Sequence, residues 1–298
     1  MSVATVPEAL RGDARLWHGV AEGGEAPPLG VCRLPVADLH VEDGGRPGAG
    51  VGTQVMRGER VRILAEGTGL DHGWLRVACE HDHYLGWVRG VAIDRGDGPR
   101  PYGVPTHVVS VPRSFLYPVP DLAKRPPVAT LTIGARVSVK RTERVRDTPY
   151  AVLDDGRSII ERHLARRGTH ARDPVAIAER LLHTPYLWGG RTALGLDCSG
   201  LVQLTHALCG RRVMRDADQQ GLTVGTQIEA GFDALGVPGT ELKRGDLVFW
   251  RGHVGMMMDA ERMIHASGHA MAVTIEPLVD AVRRIRPLYG DPTGLRRP

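Results

Sequence analysis

This 298-residue sequence has little lysine, and it lacks long apolar runs and paired cysteines. Only three of its 38 basic residues are lysines, and no run of about 18 apolar residues occurs, which argues against a membrane-spanning helix. The net charge is a modest +4, and no Lys/Arg run with interleaved aromatic residues is present. We therefore expect neither membrane insertion nor nucleic-acid binding.

The four cysteines predict free thiols in a reducing compartment, with no metal and no cofactor. None lies in a CxxC pair, and their spacing fits no zinc framework. They are Cys32, Cys79, Cys198 and Cys209. The turn at residues 81–83 reads His-Asp-His, but two histidines without further ligands are usually solvated.

The amino-terminal residues 1–29 are rich in Gly, Glu and Pro and predict an extended or partly ordered leader. Glu8 and Asp13 fall where a secretory signal would be basic and then apolar, so this order is not that of a signal peptide. The pattern predicts a cytoplasmic protein. The sequence does not indicate the oligomeric state.

A weak internal repeat follows the leader. Residues 58–63 match residues 134–139, and at the same offset residues 74–77 lie over residues 150–153. Val61/Ile63 and Val137/Val139 alternate with polar neighbours, as in half-buried strands, and turn residues separate the segments. We predict two small β-barrels, at residues 30–100 and 101–168. The pattern resembles bacterial SH3-like domains, more closely in the first barrel than in the second.

The remaining residues, 169–298, predict an α+β domain. A helix is expected over residues 173–182, and a second over 198–208, ending before Gly210. Apolar segments at 246–250, 254–258 and 262–266 predict buried strands.

Cys198 is the first residue of the second predicted helix of this domain, and that position favours a reactive thiol. The positive end of the helix dipole and the free N–H groups there favour a thiolate, and the same N–H groups could bind an oxyanion. Cys209 lies at the opposite end, where the dipole opposes a thiolate. We interpret Cys209, Cys32 and Cys79 as structural; a structural role is also the alternative for Cys198.

Two histidines follow at positions suited to assist a cysteine nucleophile. His253 starts one predicted strand, and His265 lies inside the next, so antiparallel pairing brings both to one face of the sheet. His253 is then the base for Cys198, and His265 orients its ring. Each histidine taken alone is more often structural.

These segments resemble the NlpC-type peptidase family. Residues 186–190 read YLWGG and residues 196–203 read LDCSGLVQ; GDLVFW at 245–250, HVG at 253–255 and IHA at 264–266 follow in the family's order. The resemblance covers about residues 170–288. It implies a papain-like fold with a Cys198–His253–His265 triad. Together with two SH3-like barrels, it implies hydrolysis of γ-D-glutamyl-L-diamino acid bonds in murein peptides with a free N-terminal L-Ala, during peptide recycling.

The resemblance also implies a subsite for the substrate's ammonium group. It would be formed by Tyr186, Asp197, Ser199 and the acid of the next loop, Asp216. The alternatives are a solvated loop position for Asp216, and capping of the catalytic helix for Asp197 and Ser199.

The first barrel is expected to close one end of the cleft through Glu59 and Tyr84, which could equally be ordinary barrel positions. Two other functions stay open: an inert protein that binds wall peptides, and a papain-like acyltransferase or lipid-ester hydrolase. The intact triad residues disfavour the first. The absence of an apolar, membrane-facing helix disfavours the second.

Overall fold

A computed structural model describes residues 5–19, 24–96, 103–123, 125–233, 236 and 238–298. Contacts divide the chain into two compact units, one including Gly12–Thr169 and the other Pro7–Arg11 with His170–Pro298. The predicted boundary at residues 100 and 101 lies outside the described residues.

The first unit begins with a seven-stranded antiparallel sheet in the order β3-β2-β6-β5-β4-β1-β7. Its strands are β1 (Leu29–Cys32), β2 (Val36–Asp43), β3 (Arg46–Met56), β4 (Arg60–Glu66), β5 (Trp74–Cys79), β6 (Leu85–Arg89) and β7 (Ile93–Asp94). Alternate residues such as Val61 and Val77 are fully buried in one core with Leu39 and Val55. The predicted alternation in β4 is therefore confirmed.

The second part of this unit consists of three small sheets, β10-β9, β11-β8-β15 and β12-β13-β14. The strands are β8 (His107–Val109), β9 (Arg113–Leu116), β10 (Ala129–Thr132), β11 (Arg136–Val137), β12 (Val139–Val145), β13 (Thr148–Leu153), β14 (Ser158–Ile160) and β15 (Leu164–Arg166). They surround a separate core that includes Leu116, Val137 and Ile159. The weak repeat thus corresponds to strands in both halves.

The leader is more ordered than its composition indicates. Glu8–Leu10 forms a 3₁₀ turn, and Leu10 is buried in the second unit. Leu16 is buried in the first unit, where it bridges to Tyr84. Two apolar side chains therefore anchor parts of the leader, in agreement with the partly ordered alternative.

The second unit contains four α-helices and a six-stranded antiparallel sheet in the order β18-β23-β19-β20-β21-β22 among the described residues. The helices are α1 (Pro174–Glu179), α2 (Cys198–Leu208), α3 (Ala217–Thr223) and α4 (Leu278–Tyr289). The strands are β16 (Arg191–Thr192), β17 (Gly195–Leu196), β18 (Thr226–Gln227), β19 (Leu247–Trp250), β20 (His253–Met257), β21 (Arg262–Ser267), β22 (Ala272–Pro277) and β23 (Gly294–Arg297); β16 and β17 form a separate pair.

The predicted helices and strands of this unit are confirmed, with bounds that differ by at most three residues. Helix α1 starts after Asp173, whose Oδ1 accepts from the Val175 amide at 2.9 Å, and ends before residue 182. Helix α2 is buried on nearly all sides through His206. In the described part of the chain, no helix combines the length and apolarity that crossing a membrane requires.

Helix α4 packs against one face of the sheet and was not predicted. Ala281, Val282 and Ile285 of α4 share a core with Trp250 and Met257. Because side chains alternate along a strand, this face also carries the catalytic candidates of β20 and β21.

Candidate active site

Cys198 is held at the start of α2 by the residue before it. Asp197 is the N-cap, and its Oδ1 accepts from the Gly200 amide at 2.7 Å. The Sγ of Cys198 lies 3.9 Å from the carbonyl oxygen of Gly252. It also accepts hydrogen bonds from the backbone amides of Ser199 and Val254. The thiol therefore contacts the chain on both sides of His253.

The resting thiol is not activated in the way that the helix position predicts. Burial, and next the nearby charge of Asp197, raise the pKa of Cys198 to about 12, although the amides of Val254 and Ser199 oppose the shift. Desolvation of the thiolate outweighs the favourable amides. The thiol consequently needs a base, and the helix terminus alone does not supply a thiolate.

The two histidines are brought together by the sheet, as predicted. His253 Nε2 lies 2.8 Å from His265 Nδ1, with the ring centroids 5.0 Å apart. The two histidines are diagonal neighbours across β20 and β21. Gly255 lies on the same face between them, and because it has no side chain it leaves room for Met263. The Trp250 ring covers His253, at 5.7 Å between centroids.

The environment keeps His253 neutral. Burial, and next the charges of His265 and Arg284, lower the pKa of His253 to about 3, while Glu276 acts in the opposite direction. A neutral imidazole has a lone pair that can accept a proton, although the lowered pKa makes this ring a weaker base than an ordinary histidine.

Two residues that sequence reasoning missed extend this arrangement. Glu276 Oε1 lies 2.7 Å from His265 Nε2, and the same oxygen accepts from Arg284. Glu276 is the residue before the last in β22, and Arg284 belongs to α4. No motif surrounds either residue, which is why neither was selected.

The carboxylate of Asp197 is engaged inside the protein. Its Oδ1 accepts from Gly200 and Arg215, and its Oδ2 accepts from the Gly189 amide at 2.9 Å and from Arg215 at 2.6 Å. Ser199 Oγ also approaches Oδ1, at 3.3 Å, and accepts from Arg215 at 2.9 Å. A carboxylate offers about four lone-pair positions. The internal donors fill these positions, which supports the capping alternative for Asp197 over direct contact with a substrate ammonium.

Tyr186 and Asp216 have separate environments. Tyr186 is half-buried, and burial followed by the charges of Cys198 and Asp197 raises the pKa of its hydroxyl, which stays protonated. Asp216 is the N-cap of α3 in a capping box with Gln219, which accepts from the Asp216 amide at 3.2 Å. Asp216 thus caps α3 and is half-buried, and its contact with a substrate ammonium remains a prediction.

Glu59 and Tyr84 lie within the first unit. Glu59 is buried, and its Oε2 accepts from the Met56 amide at 2.8 Å. The ring of the buried Tyr84 lies over Gly52. These barrel contacts explain the burial of both side chains, and contact with a substrate remains a prediction.

One further group of polar side chains lies in the turn after β5. Ligand atoms of Cys79, His81 and Asp82 lie within 4.8 Å of one another, and His81 Nε2 is 3.2 Å from Asp82 Oδ2. Structural zinc sites take four protein ligands, whereas the described residues supply three here. Cys32 and Cys209 are free thiols, as is Cys198.

Comparison with known families gives this geometry its context. Residues 183–284 match the NlpC/P60 family, a segment that includes Cys198, His253, His265 and Glu276. The chain carries an NlpC/P60 domain. Residues 43–93 match the bacterial dipeptidyl-peptidase SH3 domain.

Curated relatives agree with these matches. Dipeptidyl-peptidase 6 of Lysinibacillus sphaericus is 31% identical over 130 residues, covering 44% of this chain and 43% of the relative. The chain thus spans less than half of that relative's length. The γ-D-glutamyl-L-lysine dipeptidyl-peptidase of Bacillus subtilis is 26% identical over 246 residues, 77% of each chain.

The fold agrees with a solved structure. The crystal structure of an NlpC/P60 family protein from Bacillus cereus superposes with a TM-score of 0.68 at 18% identity, covering 90% of this chain and 99% of the other. The predicted resemblance to the NlpC-type family and to a bacterial SH3-like domain is confirmed by these matches.

Proposed function

We propose that this protein hydrolyses the γ-D-glutamyl-L-diamino acid bond of murein peptides that begin with a free L-Ala, releasing L-Ala-γ-D-Glu. The observation that carries the proposal is the buried Cys198 thiol placed against the backbone around His253, whose ring contacts His265 at 2.8 Å. The Bacillus subtilis relative named for γ-D-glutamyl-L-lysine dipeptidyl-peptidase activity supports the substrate class.

Acylation begins with transfer of the Cys198 proton to Nδ1 of His253. The sulfur attacks the γ-carbonyl carbon of D-Glu, and the carbonyl electrons move to oxygen. The amide of Cys198 and the Tyr186 hydroxyl are the candidate donors to this oxyanion. The Gly200 amide is not available, because Asp197 accepts it.

Collapse of the tetrahedral intermediate breaks the carbon–nitrogen bond. His253 gives its proton to the leaving amine of the diamino acid, and L-Ala-γ-D-Glu stays attached to Cys198 as a thioester. His253 then takes a proton from water, whose oxygen attacks the thioester carbon. The carbon–sulfur bond breaks, and His253 returns the proton to sulfur.

The substrate's ammonium group needs acceptors other than Asp197. We propose Tyr186 and Ser199 as its nearest partners. Ser199 Oγ accepts from Arg215 and keeps a lone pair, which supports this assignment. Asp197 acts indirectly, by orienting Ser199 and Arg215.

We further propose a papain-like arrangement for residues 169–298 and a second SH3-like barrel at residues 101–168, after a first barrel at 30–100 and a leader at 1–29. The separate core around Leu116 and Ile159 supports the second barrel. Recycling of released wall peptides in the cytoplasm is the matching biological role. Cell fractionation with an antibody to the protein tests that location.

The experiment that tests the proposed function compares two peptides, each in a free and an N-acetylated form. Wild-type protein is incubated with L-Ala-γ-D-Glu-L-Lys, with the diaminopimelate form, and with an N-acetylated copy of each, and products are measured by mass spectrometry. We expect L-Ala-γ-D-Glu from the free peptides and none from the acetylated ones. Equal cleavage of both forms would reject the ammonium subsite, and no cleavage of any would favour an inert binding protein or another acyl substrate.

A further inference from the structure

The hydrogen-bonded chain from the candidate base continues beyond the second histidine. His253 contacts His265 at 2.8 Å, and His265 Nε2 contacts Glu276 Oε1 at 2.7 Å. Arg284 donates to the same Glu276 oxygen. The His265 side chain is fully buried, whereas those of Glu276 and Arg284 are 20% and 27% exposed. This series of hydrogen bonds thus runs from His253 on β20 to Arg284 on α4.

The carboxylate at the end of this chain determines where the protons lie. An ionised carboxylate only accepts hydrogen bonds. Nε2 of His265 therefore carries a proton and donates a hydrogen bond to Glu276. In the neutral ring, Nδ1 of His265 is then an acceptor. It accepts from Nε2–H of His253, which leaves the lone pair of His253 on Nδ1, the nitrogen nearer its own backbone.

That nitrogen is the one the reaction requires. The Cys198 sulfur contacts the backbone at Gly252 and Val254, on either side of His253. The opposite tautomer would place a proton on Nδ1 and leave the thiol without a base. The same interaction stabilises the positive charge that develops when His253 accepts a proton.

Glu276 is fixed in its position and its charge state. It precedes Pro277 and α4, whose residues Ala281 and Ile285 are anchored in the core. Burial alone would raise the pKa of Glu276, but hydrogen bonds from His265 and Arg284 outweigh it and lower that pKa. The charged and titratable groups facing the carboxylate are His265 on β21 and Arg284 on α4.

We propose that Glu276, held by Arg284, is a positioning residue that selects the tautomers of His265 and His253 and so places the lone pair of His253 on Nδ1. The inference rests on the proposed function, because it assigns His253 as the base. The competing explanation is that the pair only fastens α4 to β22.

Four variants separate these explanations. Glu276→Ala removes both the acceptor and the charge, whereas Glu276→Gln keeps an oxygen acceptor and removes only the charge. Arg284→Met removes the residue that holds Glu276. The matched control is Arg283→Met on the same helix, because Arg283 is 74% exposed and pairs with Asp280.

Peptide hydrolysis is measured across pH for each variant. For Glu276→Ala we expect kcat at pH 7 to fall about 10- to 100-fold with KM little changed, part of the 10²–10⁴ that a positioned base contributes. Glu276→Gln should retain more of kcat. In both, the acid limb of kcat/KM should move to lower pH, because the charge of Glu276 raises the pKa of His253 and its loss lowers that pKa. Arg283→Met should match wild type.

The tautomers themselves are read by ¹⁵N NMR of histidine-labelled protein, with signals assigned through His253→Gln and His265→Gln. Wild type should show Nε2–H on both rings, and Glu276→Ala should lose this state. An unchanged tautomer in Glu276→Ala, or a lower kcat with no movement of the acid limb, would overturn the proposal. If wild type cleaves no peptide, the proposed function fails, while the NMR result still decides whether Glu276 sets the tautomers.

Discussion

Arg215 and Asp197 form a two-point ion pair beneath the catalytic helix. Arg215 Nη2 lies 2.6 Å from Asp197 Oδ2, and Nη1 lies 3.0 Å from Oδ1. The Arg215 side chain is 1% exposed and that of Asp197 11%. A pair with this burial and geometry fixes the residue next to Cys198, and so the direction in which α2 begins.

Breaking this pair should cost more stability than breaking an exposed one. Arg215→Met leaves the buried Asp197 carboxylate without its counter-charge, and we expect a loss of about 3–5 kcal/mol in the free energy of unfolding. Arg244→Met is the control, because its side chain is 40% exposed and its ion pairs should contribute about 1 kcal/mol or less. Urea unfolding measures both, and equal losses would contradict this interpretation.

Burial of the thiol predicts an unusual reactivity profile. Because the pKa of Cys198 is raised to about 12, its thiolate fraction should rise about tenfold for each pH unit from 7 to 10. The rate of alkylation by iodoacetamide at Cys198, followed by peptide mass spectrometry, should therefore keep rising through this range. A plateau near or below pH 7 would show a preformed thiolate instead.

The Tyr186 hydroxyl should affect the chemical step. Its raised pKa keeps it protonated, so it can donate to the oxyanion. Tyr186→Phe should lower kcat by about 10²-fold, the effect of losing one such donor, with a small change in KM. Steady-state kinetics on the free tripeptide separates the alternatives, since an effect on KM alone would place Tyr186 in the ammonium subsite only.

A buried histidine with no assigned role should make the fold sensitive to acid. Burial, and next the charge of Arg211, lower the pKa of His206 from 6.5 to about 4, and neither ring nitrogen has a hydrogen-bond partner among the described residues. Between these values the unfolded chain binds a proton that the folded chain does not. Stability is therefore lost as pH falls from about 6.5 towards 4, by up to about 3 kcal/mol.

His206→Leu should remove that part of the pH dependence. Urea unfolding at pH 7 and pH 4.5 should show a smaller loss between the two conditions than in wild type. His269→Leu, a change at an exposed position, should leave the wild-type loss unchanged. Identical pH dependence in His206→Leu and wild type would contradict the prediction.

The sequence was sufficient where function is encoded in short contiguous segments. Cys198, His253 and His265 each lie in a recognisable run, and strand alternation brings the two histidines together. Helix α4 was missed although Leu278, Ala281, Val282 and Ile285 follow helical spacing, because Pro277 and Pro287 interrupt the segment. The strands of β4 and β5 were predictable from alternation alone.

Other features depend on long-range packing. Asp197 could be identified as a helix cap, but its partner Arg215 lies 18 residues away in a loop without a motif. Glu276 and Arg284 gain their roles only when β22 and α4 fold against β21. The raised pKa of Cys198 also follows from burial, which the helix position alone does not reveal.

The measurement that most directly tests the central claim compares the two ends of one helix. Cys198→Ala and Cys209→Ala are incubated with L-Ala-γ-D-Glu-L-Lys beside wild type, and release of L-Ala-γ-D-Glu is followed by mass spectrometry. We predict release by wild type and by Cys209→Ala at similar rates, and none by Cys198→Ala. Release by Cys198→Ala would contradict the account, because no thioester could then lie on the reaction path.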